Sequence, residues 1–395
     1  MSFGRLLLPL WPLDPAATYL NHGTVGVVPI RVAEAQQAWR DRIERHPARF
    51  MLRDLWSVTG SATSGPTLMR QAAADVAAFV GARADELVFV DNTSTGVNAV
   101  LRSMTLAPGD EILITDHIYG GLLTAVNYIA RRSGAAVRVA TMPYPAFDAA
   151  VAADRIAGAI TGNTKLVLVD HIAAESALVF PVEEIVRVCK ARGVPVLVDG
   201  AHVPGQLALN VSGIGADYYV ANLHKWAMAP RSSAFMVVAP ERQADLHPPV
   251  ISWGLDAGFT QEFDWVGTRD ATPWLAAPDG IRFLQDLDYD ALRRYNHDLA
   301  WHAAHYLAGL WRTPLEIPES AVGCMVSVMT PESIGSAKPD AVRLRDRLLF
   351  DHNIEVQVHA RAGRVWVRVS AQVYNDRDDI ERLGEAVSRQ DHKRH

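Results

Sequence analysis

The chain has little cysteine: two residues, Cys189 and Cys324, in 395. That excludes a disulfide framework and a cysteine-built zinc site. No apolar run approaches the roughly 18 residues that a membrane span needs. The N-terminal stretch is broken by Pro9 and Pro12, unlike a signal-peptide core, so a cytoplasmic protein without a membrane partner is expected. Basic blocks are missing too. Lys plus Arg is 38 against 44 for Asp plus Glu, a net charge of −6, which argues against a nucleic-acid partner.

Among motifs, GxGxxG, GxxxxGK[ST] and HExxH are all absent, so dinucleotide, P-loop and zincin readings lose their support. His302 and His305 are spaced to share a helix face, but without a carboxylate pattern they predict no metal site. Lysine is scarce. Only Lys165, Lys190, Lys225, Lys338 and Lys393 occur, against 33 arginines, so lysine-dependent chemistry has few candidates.

Apolar residues make up 49% and charged residues 21%, an ordinary globular balance. At about 150 residues per domain, the length predicts two or three domains. Short apolar runs over 87–90, 111–115, 136–140, 166–169, 195–198, 217–221 and 234–238 alternate with helical patterns such as 93–104, 121–133 and 182–192. Two further helices open near Pro29 and Pro66. Runs apolar throughout read as strands covered on both faces, so an α/β fold with a seven-stranded, mostly parallel sheet is predicted. The rhythm stops near residue 240. Residues 246–280 read as an irregular connection and 278–310 as one helix. A βαβ-like tail follows, with strands at 325–328 and 365–369 and helices at 340–350 and 376–387, forming a smaller C-terminal α+β domain.

Four segments carry chemistry. In Asp91-Asn-Thr-Ser-Thr-Gly96 a strand feeds a helix, which puts Thr93 and Ser94 where helix N–H groups and the dipole favour an anion; plain N-capping would use the same residues. In Val196-Leu-Val-Asp-Gly-Ala-His202, Asp199 ends an apolar strand at the sheet's carboxyl edge, where α/β enzymes bind ligands. In Tyr219-Val-Ala-Asn-Leu-His-Lys-Trp226, Lys225 lies among apolar neighbours, a setting that lowers an amine's pKa and makes it nucleophilic. Phe263-Asp-Trp-Val-Gly-Thr-Arg-Asp270 supplies a hydroxyl and a guanidinium from a loop, or is simply a structural turn. Together they offer a Schiff-base lysine, an acid for a pyridinium nitrogen and a hydroxyl-rich helix start for a phosphate, the set pyridoxal phosphate requires.

In this combination the chain resembles the class V, fold-type I aminotransferase family of pyridoxal-phosphate enzymes, and within it the isopenicillin N epimerase-like group. The match runs from Tyr19-Leu-Asn-His-Gly-Thr-Val-Gly26 to Val367-Arg-Val-Ser370. The resemblance implies that Lys225 carries pyridoxal 5'-phosphate, that Asp199 pairs with its ring nitrogen and that His202 lies near its phenolic oxygen. Thr93, Ser94, Asn222 and His224 match its phosphate cup. Thr268 matches a residue that reaches the neighbouring subunit's phosphate, which implies a homodimer. Arg368 matches the fork for a substrate α-carboxylate, with Asn21 and His22 as further substrate contacts; His117 or Tyr119 covers the ring's other face. The loop 359–364 lacks the nucleophilic cysteine of cysteine desulfurases, so persulfide chemistry by that route is not expected.

The domains expected are an N-terminal segment over 1–20 that packs with the small domain, a large cofactor-binding domain over 21–275 and a small domain over 276–395. The expected activity is α-carbanion chemistry on an amino acid, epimerase-like first, C–S lyase second and aminotransferase third. A cofactor-free binding protein on the same fold is the remote alternative.

Overall fold

The computed structural model describes residues 3–57 and 65–392; Lys393 lies outside them. The strands are β1 (Thr18–Tyr19), β2 (Leu87–Val90), β3 (Glu111–Thr115), β4 (Ala136–Ala140), β5 (Thr164–Asp170) and β6 (Val196–Asp199). They continue with β7 (Tyr218–Asn222), β8 (Ala234–Val238), β9 (Met325–Met329), β10 (Ile354–Glu355), β11 (Gln357–Arg361) and β12 (Arg364–Ser370).

The large sheet has seven strands in the order β2-β8-β7-β6-β5-β3-β4. Pairing is parallel from β7 to β4, and β8 runs antiparallel to both of its neighbours. Most of its strands are apolar because helices cover both faces, and β2, β6 and β8 are buried along their whole length, whereas the edge strand β4 is largely exposed. Three strands run one residue beyond the apolar stretch and end on Asp170, Asp199 and Asn222. Burial of these polar ends at one sheet edge requires partners, and those partners build the site.

Two expectations are corrected. Helix 278–310 is two helices, Ala277–Asp286 and Tyr289–Trp311. Asp288 between them is left-handed, with φ 60°, and its carboxylate caps the second helix by accepting from Ala291 N. The irregular connection also contains the short helices Phe259–Asp264 and Thr272–Leu275.

The tail is not βαβ-like. Its sheet is antiparallel, in the order β11-β12-β9, and β11 was not among the predicted strands because its residues alternate with polar ones. Ala362 and Gly363, with φ 50° and 69°, make a two-residue turn whose backbone matches the twist of a hairpin. The helix Lys338–His352 packs on β11, and Tyr289–Trp311 on β9. The N-terminal segment crosses to this part of the molecule: β1 pairs with β10 in parallel, and Gly4 N donates to Val373 O. No helix among the described residues is long and apolar enough to cross a membrane.

Candidate active site

Strands β5, β6 and β7 end side by side, and the loop after β7 carries Lys225. That loop is held by backbone bonds from Leu223 N and His224 N to Ser233 O, while Leu223, Trp226 and Met228 are buried beneath it. The segment after β1 closes over it. His22 Nε2 donates to Lys225 O at 3.0 Å, and His22 Nδ1 accepts from Tyr374 Oη at 2.9 Å. Gly26 has φ 71°, and a Cβ there would sit 2.1 Å from His224 O, so only glycine allows this approach.

A cavity of about 180 Å³ opens where these elements meet. Asp170, Asp199, His202, Asn222, His224 and Lys225 line it together with Thr93 and Ser94, and the half-exposed Tyr119 stands where it opens to solvent. Lys225 Nζ lies 3.0 Å from His202 Nε2. Burial pulls the Lys225 amine down to about 8, helped by the positive charge of Arg368 and opposed by Asp199 and Asp170. Burial holds His202 well below its usual range, so the ring is neutral and its Nε2 accepts from the amine. Asp199 accepts from Ala201 N at 2.8 Å; burial raises it to about 6, against the opposing effects of that bond and of Lys225.

The helix Thr93–Ser103 is capped by Asn92, whose Oδ1 accepts from Thr95 N at 2.9 Å, so the Thr93 and Ser94 hydroxyls are not needed as caps. Thr93 Oγ1 is buried without a hydrogen-bond partner. Asn222 Oδ1 takes Thr93 N–H at 2.9 Å and ties the helix start to β7. His224 commits Nδ1–H to Ser233 O at 2.8 Å, and burial lowers it to about 4.

Of the two ring-covering candidates, Tyr119 lines the cavity, half exposed at 49%. His117 is 3% exposed, bonded through Nδ1 to Ser176 Oγ at 2.7 Å, and is not part of the lining. Arg368 sits one layer back, donating to Ala174 O and, at 2.9 Å, to Thr24 Oγ1, both residues of the wall. Asn21 and His22, like Arg368, do not line the cavity. Both ring nitrogens of His22 are already used, and Asn21 Oδ1 accepts from Thr24. Thr268 is exposed and outside the cavity.

Sequence reasoning missed Asp170. The signal was present, because Asp170 ends an apolar strand just as Asp199 does. Both cysteines are buried, with thiols pushed up to about 12 by burial, so neither is poised as a nucleophile. Among the described residues no group of three or more His, Cys, Asp or Glu gathers as a metal site.

The donor set fits pyridoxal phosphate. An unpartnered hydroxyl at a helix start, a buried carboxylate and an amine of lowered pKa line the same cavity. Comparison with known proteins agrees. Residues 57–383 match the family Aminotransferase class-V. A putative L-cysteine desulfhydrase 2 of Oryza sativa subsp. japonica is 32% identical, covering 95% of this chain and 85% of its own length. The isopenicillin N epimerase of Streptomyces clavuligerus is 31% identical, covering 97% of this chain and 96% of its own. The cystine C–S lyase C-DES, solved in complex with cysteine persulfide, shares the fold with a TM-score of 0.77 at 21% identity, over 95% of this chain and 97% of that one. The cofactor-free alternative therefore falls, and the chain belongs to the class V aminotransferase family of pyridoxal-phosphate-dependent enzymes.

Proposed function

We propose that this enzyme removes the α-proton of a small amino acid carrying sulfur on its β-carbon and expels that sulfur as a thiol, the reaction of a C–S lyase. Pyridoxal phosphate, when bound, supplies the electron sink for the charge left on the α-carbon. Lys225 is the base. Its amine, drawn down to about 8, can both take and return a proton near neutral pH. His202 accepts from that amine at 3.0 Å and limits its swing. Asp199 provides the buried negative charge for a ring nitrogen, and Thr93, Ser94 and His224 provide the end suited to a phosphate. Arg368, behind Thr24 and Ala174, offers a planar fork for the α-carboxylate. Thr268, exposed on its loop, would reach the site of a second copy in a homodimer.

The observation that carries this reading is that the cavity holds one amine base, Lys225, already bonded to His202. Elimination needs one base on one face, whereas epimerisation needs a second proton carrier opposite it. The desulfhydrase name of the rice relative supports the same reading. Epimerisation is the second reading. It is favoured by Tyr119, which stands at the cavity mouth, and by the Streptomyces relative.

The test is incubation of the loaded enzyme with L-cysteine, measuring hydrogen sulfide, ammonia and pyruvate, and with S-substituted cysteines, measuring thiol, ammonia and pyruvate. Alongside it, α-hydrogen exchange is followed in deuterated water from each enantiomer, for wild type and Tyr119→Phe. Elimination predicts thiol release that Tyr119→Phe changes by less than about tenfold. Interconversion of enantiomers without thiol, with Tyr119→Phe blocking exchange from one enantiomer only, replaces it with epimerisation.

A further inference from the structure

Asp170 and Asp199 are register partners at the ends of parallel strands β5 and β6. Neighbours in register leave a sheet on the same face, from backbones about 4.8 Å apart. Both carboxyls are buried, at 2% and 4% exposure, and both line the cavity.

Their surroundings differ. Asp199 accepts from Ala201 N and lies near enough to Lys225 for the ammonium to favour its charge. For Asp170, the nearby backbone N–H of Tyr119 and the cation Arg361 favour the charged form, and the anion Asp199 opposes it. Lys225, with His202 bonded to it, responds to both carboxylates. Two adjacent buried carboxylates cannot both ionise without strong repulsion, and one shared proton removes it. Burial and the Asp199 charge push Asp170 far up, so the proton belongs on Asp170.

We propose that Asp170 is a positioning residue that holds the pair's shared proton, with its carboxyl O–H donating to the Asp199 carboxylate and its other oxygen accepting from Tyr119 N–H. One side chain then fixes both the acid assigned to the cofactor's ring nitrogen and the residue at the cavity mouth. This rests on the cofactor assignment and not on the reaction proposed above.

The test begins on cofactor-free protein labelled with ¹³C-aspartate, by infrared spectroscopy at about pH 8. A protonated aspartyl C=O stretch is expected in wild type and absent in Asp170→Asn. In Asp199→Asn its titration midpoint falls by at least about one pH unit, because the like charge is gone. Aspartates fully ionised in wild type, a band that survives in Asp170→Asn, or an unmoved midpoint overturns the proposal. Cofactor affinity supplies the second arm. Asp170→Asn retains an N–H donor and should bind the cofactor within about threefold of wild type, while Asp170→Ala loses at least about tenfold. Equal affinities in these two variants overturn the positioning role. If Asp170→Asn does not fold, the wild-type and Asp199→Asn titrations decide alone. A wrong reaction assignment would leave every one of these readouts unchanged.

Discussion

Lys225 Nζ and His202 Nε2 lie 3.0 Å apart, the histidine buried and the lysine half-buried, with the imidazole neutral and the amine lowered to about 8. A neutral ring can accept from the amine without adding a second positive charge, so the bond holds Lys225 in place while burial keeps it close to losing its proton.

Loading with the cofactor follows from this. The amine attacks only when neutral, so the loading rate should rise with pH, fall tenfold per unit well below about 8 and level off above it. Arg368→Leu removes a positive charge that lowers Lys225, so the midpoint should move up. Stopped-flow absorbance across pH 6 to 9 checks both directions.

Lys225→Ala should abolish covalent retention of the cofactor after borohydride reduction and lower turnover by at least about a thousandfold. The fold should persist, since removing an amine that is costly to bury costs little. Mass spectrometry of the reduced protein and circular dichroism read the two outcomes.

His22 makes the fold acid-sensitive. Burial lowers it to about 4 from an ordinary 6.5, so the unfolded chain binds one more proton between those values. Its contribution is complete above 6.5 and is lost as the pH falls toward 4. His22→Gln keeps an N–H donor for Lys225 O but does not titrate. Within that window it should flatten the fall in unfolding free energy by up to about 1.4 kcal/mol per pH unit, measured by urea denaturation.

Thr268 tests the dimer. Thr268→Glu places a negative charge where the neighbour's phosphate is expected and should weaken loading, although the residue lies outside its own chain's cavity. Mixing inactive Lys225→Ala and Thr268→Glu chains puts both defects in one site of the heterodimer and leaves the other intact. About half of the activity should return in that heterodimer. No recovery, with heterodimers isolated, means that each site is built by one chain.

The parallel core was legible in the sequence because strands buried on both faces are apolar along their length, as in residues 196–198 ahead of the terminal Asp199. The strand β11 was not read from the sequence: Gln357–Arg361 alternates polar and apolar residues over only five positions, a half-buried strand pattern too short to stand out beside runs that are apolar throughout. The break at Asp288 was hidden for a related reason: the apolar period continues through it, and only the left-handed turn divides the two helices.

At the site, the sequence by itself determined the residues whose chemistry is intrinsic: the one lysine beside a histidine at a strand end, the carboxylate closing an apolar strand, and the hydroxyls opening a helix. The tertiary structure decided everything that depends on what lies across the molecule. It put Tyr119 rather than His117 at the cavity, bound His22 to the Lys225 carbonyl, and set Asp170 beside Asp199. These pairs are far apart along the chain, and strand register and burial, which no local pattern encodes, fix which atoms meet and which of two neighbouring acids can carry a charge.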